Sequence, residues 1–571
     1  MTVWPVVLRL LRLPRPRAAD VFVLAAVGAT LYVLLGAATS ELRRLGPSVS
    51  IDLHPRALPG YAAMSLARMI MAYVLSLGVA LVGGYAAARN PLLERILVPV
   101  LDVLQSIPIL SFLPVVLLTM IALFPRQTLG LELASILLIF TGMVWNLAFS
   151  FYHSLLAIPE DLLEAVRMMR LSWWQRFTTL ELPAAAIGLV WNSMMSWAGG
   201  WFFLMAEESF TLVNRSFTLP GLGSYLATAS SRGDLRSVGY GLAALVGLIV
   251  LLDQLVWRPL VVWSRKFKIE LTEQPVPQSS WFLDLLQGSR VLGWLHRHLW
   301  TPICEWIDRM MLSIGPKELK STPTRPTTAL AAVTAGAGVL IALGMVELGR
   351  ILSRVPPPQW RQIAAGAAAT TLRVGTSLLI AAAWTVPTGV AVGLRPSLAR
   401  TVQPLVQIAA SIPATALFPV VLLVLIRLGG GLEVASIVLM LLGSQWYVLF
   451  NTVAGAVGIP QDLREASALL RLRGWLWWRT LALPAIFPHL VTGGLTAQGG
   501  AWNASIVSEY VTFGGRTLRT LGLGALISSA AAEGDMPLLA ASTVAMAGIV
   551  VVLNRTIWRR LARLAEERYH L

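Results

Sequence analysis

The stretch LLERILVPVLDVLQSIPILSFLPVVLL at residues 92–118 is matched by SLARTVQPLVQIAASIPATALFPVVLL at residues 397–423. Both copies contain Ser-Ile-Pro, five further residues, and then Pro-Val-Val-Leu-Leu, so that Pro108 matches Pro413 at an offset of 305 residues. A shared motif of this length indicates an internal repeat, and repeats decide the architecture of a chain before any local pattern does.

The match extends well beyond this stretch. GLELASILL from Gly130 matches GLEVASIVL from Gly431, at an offset of 301 residues that holds as far as Trp257 and Trp558. One register kept over so much of the chain predicts two tandem copies of one domain.

The composition is that of a membrane protein. Hydrophobic residues make up 56% of the 571 residues and charged residues only 13%, whereas a typical soluble domain has about 25% charged residues. The net charge of +16 would suggest nucleic acid in a soluble protein. Here most arginines lie at the ends of apolar runs, which is the pattern of membrane topology. We therefore expect membrane lipid, and no nucleic acid, as a partner.

Apolar runs of about 20 residues predict six membrane spans in each half. They cover 20–38, 63–88, 97–123, 131–152, 185–206 and 237–257, and then 329–348, 364–394, 402–426, 432–454, 486–507 and 537–557. An even number of spans makes the repeats parallel. A basic N-terminus before a retained first span favours a cytoplasmic N-terminus, which also places the stretches 155–183 and 456–484 and the C-terminus in the cytoplasm.

The spans predict how the chain is divided. The expected parts are an N-terminal tail, first span and external loop at 1–60, a first transmembrane domain at 61–257, a cytoplasmic linker at 258–328, an extra span and external loop at 329–363, a second transmembrane domain at 364–558 and a cytoplasmic tail at 559–571. The linker is too interrupted by proline and basic residues to span the bilayer. Its short apolar pieces predict amphipathic helices on the membrane surface.

The most informative segments are the two polar loops after the fourth span of each half. The first reads IPEDLLEAVRMMRL from Ile158 and ends in ELP at Pro183, and the second reads IPQDLREASALLRL from Ile459 and ends in ALP at Pro484. Proline and acidic residues in the first turn suit a helix N-terminus. Each loop predicts a helix of about three turns, a break and a second short helix that ends at the proline. Paired helices at matched places indicate a docking surface.

These loops resemble the EAA motif of binding-protein-dependent ABC importer permeases, which reads E-A-A, three residues, G, nine residues and I-x-L-P. The matching positions are Glu164, Ala165, Arg170, Leu182 and Pro183 in the first copy and Glu465, Ala466, Arg471, Leu483 and Pro484 in the second. Both copies have Arg where the motif has Gly. The resemblance covers most of each half and is closest to the nitrate, sulfonate, bicarbonate and taurine branch.

The resemblance implies an all-α polytopic membrane protein with two tandem type I ABC importer transmembrane domains of about six helices each. It implies two cytoplasmic ABC ATPase subunits, which Glu164 and Glu465 would anchor. It also implies a periplasmic or lipid-anchored solute-binding protein and a small anion as substrate, at the bacterial inner membrane. The chain contains no G-x-x-x-x-G-K-[ST] loop, so we expect ATP hydrolysis in the partner. No catalytic residue, cofactor or metal site is predicted.

A secondary transporter with parallel six-helix repeats is the alternative, and a membrane-embedded enzyme is a third possibility. A secondary transporter has no reason to carry EAA-type helices at matched places in both halves. An enzyme would need clustered His, Asp or Glu at the membrane interface, and the sequence shows no such cluster. The loops therefore favour the importer.

Charged residues within the spans are functional candidates by default. Arg68 and Arg373 lie about two turns into their apolar stretches and either face an anionic substrate or reach towards the outer interface. Glu207, Glu208 and Glu509 end the fifth spans. Three roles are open to them: they line the outer mouth of the pathway, they gate it, or they pair with arginine. A position at the rim of the outer mouth is favoured.

Polar and aromatic residues near the middle of the spans predict a cavity between the halves. They are Trp145, Asn146, Gln445, Trp446, Trp201, Trp502 and Asn503. Transporters bind substrate at such a level between repeats, although each residue could instead serve helix packing. Differences between the copies, such as Trp197 against Gln498 and Asn146 against Gln445, predict that this cavity is asymmetric.

Overall fold

The computed structural model is helical almost throughout. It describes residues 50–124, 129–212, 215–267, 282–284, 301–314, 339, 342–513 and 516–568. The predicted span 20–38 and most of 329–348 lie outside these residues, although 342–352 is helical. Because the sequence repeats, each described element of the first half has a counterpart in the second.

The first half contains α1 (Leu58–Arg89), α2 (Pro91–Ser106), α3 (Leu113–Leu123), α4 (Leu129–Leu156), α5 (Glu160–Met168), α6 (Trp173–Arg176), α7 (Leu182–Glu207), β1 (Ser209–Leu212), β2 (Arg215–Thr218), α8 (Leu222–Ser231), α9 (Leu235–Leu252) and α10 (Arg258–Ser264). The linker contributes α11 (Thr301–Ile314). The second half contains α12 (Pro357–Leu394), α13 (Pro396–Ser411), α14 (Ala414–Arg427), α15 (Gly431–Val457), α16 (Gln461–Leu469), α17 (Gly474–Trp477), α18 (Leu483–Ser508), β3 (Tyr510–Phe513), β4 (Arg516–Arg519), α19 (Leu523–Glu533), α20 (Met536–Leu553) and α21 (Arg559–Arg568).

Seven of the described helices are long and apolar enough to cross a membrane, and a bent pair could add an eighth. In each half the three long helices pack in the same order, α1 on α4 and α4 on α7, and then α12 on α15 and α15 on α18. The all-α polytopic fold is therefore confirmed. The loops after α4 and α15 lie at one end of the bundle, which we call the loop end, and the β-hairpins lie at the other, the hairpin end.

The predicted third spans are broken helices. Hydropathy predicts a span at 402–426, but residues 405–411 and 414–427 of the second half form an angle of 87°. Pro108 and Pro413 lie in the breaks because proline lacks the N–H that would continue the helix. The first break contacts the other half, where Leu110 N donates to Asn503 Oδ1 at 3.3 Å. The breaks thus form part of the interface between the halves.

Two short β-hairpins follow the fifth spans, and the hydropathy pattern does not predict them. Strand β1 pairs antiparallel with β2, and β3 with β4. Each hairpin contacts the short helix of the opposite half, β1 on α19 and β3 on α8. One apolar core includes residues of both halves at this end, among them Leu222 and Leu523. The halves are therefore packed together at the hairpin end.

The linker helix α11 contacts the first loop. Trp174 Nε1 donates a hydrogen bond to Asp308 Oδ1 at 2.7 Å. On the same helix Trp306 is 60% exposed, as expected of an amphipathic helix on a membrane surface. That location remains a prediction.

Candidate functional site

Each polar loop folds into two helices joined by a tight turn. Arg170 occupies the turn after α5 with a φ of 50°, in the left-handed region that favours glycine. Leu171 N bonds to Val166 O at 3.3 Å and Arg170 N bonds to Arg167 O at 3.0 Å, which is the hydrogen-bond pattern of a Schellman cap. The turn geometry of a glycine is thus kept although the residue is arginine.

The second loop repeats this turn. Arg471 also has a φ of 50°, and Leu472 N bonds to Ser467 O at 3.0 Å. The helix that follows begins differently in the two copies. In the first, Ser172 accepts from Gln175 N and Gln175 bonds back to Ser172 N, which forms a capping box. The second has Arg473 at the corresponding position, with no side-chain cap.

The predicted stop of the second short helix at the proline is wrong. The helix continues through Pro183 into α7, and through Pro484 into α18. A π-helical segment precedes each proline, at Phe177–Glu181 and Trp478–Ala482. The wider π turn accommodates a ring that would collide with the preceding carbonyl in a regular helix. Each loop is therefore continuous with its fifth span.

The outer surface of the two loops is charged at one end and apolar at the other. Glu164 and Glu465 are exposed on the first helices. Met168 is 79% exposed and Leu469 is 83% exposed at the ends of the same helices. The two loops thus expose the same kinds of side chain at matched positions.

The two loops are held differently. Buried Glu181, next to Leu182, forms ion pairs with Arg89 at the end of α1 and with Arg176. The second copy has Ala482 at this position. Likewise Trp174 bonds to the linker helix, whereas its counterpart Trp475 is 72% exposed. The first loop is therefore tied to α1 by Glu181 and to α11 by Trp174, whereas Ala482 cannot form an ion pair and Trp475 is exposed.

A cavity of about 490 Å³ lies between the two halves. Four residues that the sequence predicts for the substrate pathway line it: Trp145, Asn146, Trp446 and Asn503. The broken third spans line it as well, through Ile109 and Pro413. This cavity is large enough to hold a small solute between the repeats.

Three other residues predicted for the pathway lie outside the cavity lining. Trp201 and Trp502 are 1% and 0% exposed and pack in the core. Gln445 accepts a hydrogen bond from Trp384 Nε1 at 3.1 Å. Helix periodicity explains these corrections, because residues at the same depth can point to opposite faces.

Arg68 is buried in an ion-pair network and does not line the cavity, so neither predicted role holds. Its Nη1 donates to Glu208 Oε1 at 2.7 Å, and its Nε and Nη2 donate to Glu132 at 2.5 and 2.7 Å. Ser65 Oγ also donates to Glu208 at 2.6 Å, and Gly223 N donates to it at 2.6 Å. We call this network the first node.

The second half repeats the network as the second node. Arg373 Nη1 donates to Glu509 Oε1 at 3.0 Å, and Thr370 and Gly524 N also donate to Glu509. Glu433 is 75% exposed and only 3.9 Å from Arg373. Arg373 is thus more weakly compensated than Arg68. Like Arg68, it does not line the cavity.

In both nodes the glutamate at the end of the fifth span meets a hydroxyl and an arginine from the second span and the backbone of Gly-Leu-Gly, at Gly221–Gly223 and Gly522–Gly524. A Cβ on Gly221 or Gly522 would overlap the carboxylate of Glu208 or Glu509. Both carboxylates are 0% exposed, so the favoured position at the rim of the pathway is wrong, and pairing with arginine is what the structure shows. Glu207 is also buried, and neither of its oxygens is hydrogen-bonded within the described chain.

The cavity is asymmetric. In the first half Trp197 packs against Trp257 and Tyr73, with ring centroids 5.7 and 5.6 Å away. In the second half Gln498 replaces Trp197, lines the cavity and accepts a hydrogen bond from Trp558 Nε1. Aromatic rings thus fill the first half where the second half is open.

The sequence predicts the last span of the second half, but not that the residues after it line the cavity. Asn554, Arg555, Trp558 and Arg559 all line the cavity. The signal was present, because Asn554 and Arg555 replace Asp253 and Gln254 of the first copy at the offset of 301 residues. Among the described residues no group of three or more His, Cys, Asp or Glu could hold a metal ion.

Two parallel helical repeats, matched loops at one end and a cavity between the halves define a membrane permease of duplicated type. Residues 80–256 and 385–569 match the family described as binding-protein-dependent transport system inner membrane component. These two matches cover more than half of the chain, which therefore belongs to this family of transport permeases.

Individual relatives agree with the family. The chain is 31% identical over 142 residues to the bicarbonate transport system permease protein CmpB of Synechocystis sp., covering 25% of this chain and 49% of that protein. It is 27% identical over 147 residues to the nitrate import permease protein NrtB of Leptolyngbya laminosa, covering 26% and 51%. It is 28% identical over 186 residues to the taurine transport system permease protein TauC of Escherichia coli, covering 32% and 62%. The chain spans about half to two thirds of the length of these relatives.

Proposed function

We propose that this chain is the permease subunit of an ATP-driven ABC importer. In this proposal it moves a small anion, delivered by a solute-binding protein, into the cytoplasm by alternating access. The observation that carries the proposal is the pair of matched loops, because each exposes a glutamate and an apolar helix end at the same end of the bundle.

Each loop would dock one ATPase subunit. Glu164 and Glu465 would anchor the contact, Ala165 and Ala466 would face it, and the exposed Met168 and Leu469 would supply its apolar part. Arg170 and Arg471 hold the turn between the loop helices. Because the helix continues through Leu182-Pro183 and Leu483-Pro484, a movement of the loop would pass directly to the fifth span.

The anion and its route are inferred from the relatives and the cavity. The relatives carry the words bicarbonate, nitrate and taurine in their names. Trp145, Asn146, Trp446 and Asn503 line the space through which such a solute would pass. Contact between the halves at the hairpin end fits a resting state closed to the binding protein, and rocking of the two halves would open it.

The loops favour this function over a secondary transporter, which would use neither of them. The proposal places the protein in a bacterial inner membrane with the loop end and both chain termini in the cytoplasm. The proposal also divides the chain into a first domain at 61–257, a linker at 258–328 and a second domain at 364–558.

The stoichiometry of the purified complex tests the docking proposal. We expect native mass spectrometry of the permease, purified with the ATPase encoded beside it, to give one chain of 61.9 kDa with two ATPase subunits. A complex with two permease chains, or with one ATPase, would contradict the proposal that one chain supplies both docking loops.

A further inference from the structure

The stretch that leads from the second loop into its fifth span is basic and aromatic. Residues 471–479 read RLRGWLWWR and contain no Asp or Glu. Arg473 and Arg479 are exposed, and neither forms an ion pair within the described part of the chain. Trp475 is 72% exposed and Leu476 is 55% exposed. The described chain thus leaves both the charge and the apolar side chains of this stretch uncovered.

The first loop is less basic at the matched positions. Residues 170–182 contain two arginines and one glutamate, for a net charge of +1, whereas residues 471–483 contain three arginines and no acidic residue, for a net charge of +3. In the first loop Glu181 pairs with one of the two arginines, Arg176. The arginines that only the second loop has are Arg473 and Arg479, at the places of Ser172 and Thr178. The excess of positive charge therefore belongs to the second loop.

Another part of the chain covers this place in the first loop. Trp174 is the counterpart of Trp475, and its Nε1 donates a hydrogen bond to Asp308 Oδ1 of α11 at 2.7 Å. Helix α11 thus supplies an acidic group to the tryptophan of the first loop. A partner for the second loop would need an acidic group as well, together with an apolar part for the exposed side chains.

The stretch lies at the level of the membrane surface. The helix from Gly474 to Ser508 is continuous and has 35 residues, so its length is about 52 Å at 1.5 Å per residue. A bilayer with its headgroups is about 40–45 Å thick. The first turns of this helix therefore reach the headgroup layer at the loop end. Tryptophan is enriched in that layer, and basic residues there attract anionic lipids.

We propose that Arg473, Trp475, Leu476 and Arg479, which we call the lipid face, bind the headgroup of an anionic phospholipid in the leaflet at the loop end. Trp475, Leu476 and Arg479 lie three or four residues apart and so share one side of the helix. The guanidinium groups would pair with the phosphate, and the two apolar side chains would contact the upper part of the acyl chains.

The lipid would do for the second loop what α11 does for the first, by holding it through its tryptophan. An ATPase subunit fits the lipid face less well. A groove that accepts Glu465 as its anchor would be basic, and two further arginines beside that groove would be repelled. The inference needs only the membrane location of the chain and does not rest on ATP-driven import.

Lipid preference beside each loop can be measured by fluorescence quenching. Thr480 and its counterpart Thr179 are both exposed. Either is changed to Cys, together with Cys304→Ser to remove the single natural cysteine, and labelled with bimane. The full chain is placed in phosphatidylcholine nanodiscs that contain a minor fraction of phosphatidylglycerol or phosphatidylcholine brominated close to the glycerol. Because one arginine at an anionic membrane surface strengthens binding about fivefold, phosphatidylglycerol should be preferred at least fivefold at residue 480, with no such preference at residue 179.

The variant Arg473→Gln with Arg479→Gln should abolish the preference at residue 480. The matched control is Arg516→Gln with Arg519→Gln, which removes two exposed arginines from the hairpin end and should leave the preference unchanged. An unaltered midpoint of thermal unfolding shows that each variant is folded.

Three results would overturn the proposal. Quenching at residue 480 could be the same with both lipids, the preference could survive the loss of Arg473 and Arg479, or the ATPase encoded beside the permease could abolish it when added. The last result would assign the lipid face to the ATPase, whereas we expect the preference to persist in the complex. Because the measurement uses neither ATP nor transport, its failure is distinct from failure of the importer proposal.

Discussion

The double variant Glu164→Arg with Glu465→Arg is expected to lose both ATPase subunits from the purified complex. Both glutamates are exposed, and substitutions at such positions usually change folding stability by no more than about 0.5 kcal/mol. At a docking surface the same change removes a charge pair and introduces a repulsion. Loss of one partner of a buried charge pair in an interface costs about 2–5 kcal/mol, so each site should weaken by at least tenfold.

The single variants make this prediction sharper. With Glu164→Arg or Glu465→Arg alone, one loop remains intact, and in the absence of nucleotide one ATPase subunit should remain. Glu567→Arg is the matched control, because this glutamate is exposed on α21 and lies outside both loops. Native mass spectrometry counts the subunits. A double variant that still binds two ATPase subunits would exclude the loops as the docking sites.

Removal of Arg68 should have the largest effect on stability. Arg68 is 2% exposed and Glu208 is 0% exposed, so Arg68→Met leaves a buried carboxylate without its counter-charge. Breaking a buried pair in this way costs about 3–5 kcal/mol. Arg373→Met should cost less, because Arg373 has only one close carboxylate and Glu433 is 75% exposed. The midpoint of thermal unfolding in detergent measures both variants.

The rescue variant is Arg68→Met with Glu208→Gln. The neutral amide can accept from Gly223 N through its oxygen and donate to Ser65 Oγ through its nitrogen. It needs no counter-charge, so the double variant should regain much of the lost stability. A double variant as unstable as Arg68→Met alone would show that the arginine stabilises the fold by packing and not through its charge.

The sequence alone predicts the long spans and the loop motifs, because both copies of the repeat carry the same pattern. The long spans follow from hydropathy, and α4 at Leu129–Leu156 contains the predicted span 131–152. The loop motifs follow from their residue types, and both copies place the arginine of the turn at the same φ. A second copy gives an independent check that a single domain would not provide.

Long-range pairing could not be predicted. Arg68 and Glu208 are 140 residues apart in sequence, and hydropathy treats each as an isolated charge in an apolar run. The cavity lining could not be predicted for a similar reason. Trp145 and Trp201 are both tryptophans within predicted spans, but Trp145 lines the cavity and Trp201 is buried in the core. The run of helix through Pro183 conflicts with helix propensity, and the π turn before it relieves the clash between the proline ring and the preceding carbonyl.

The central claim is that ATP drives import through this chain, and uptake into proteoliposomes tests it most directly. The permease and its ATPase are reconstituted with ATP in the lumen and the solute-binding protein outside, and labelled nitrate, bicarbonate and taurine are supplied in turn. We predict uptake of at least one of them that needs both ATP and the binding protein and is lost in the Glu164→Arg, Glu465→Arg variant. Uptake that an ion gradient drives without ATP would contradict the account and identify a secondary transporter.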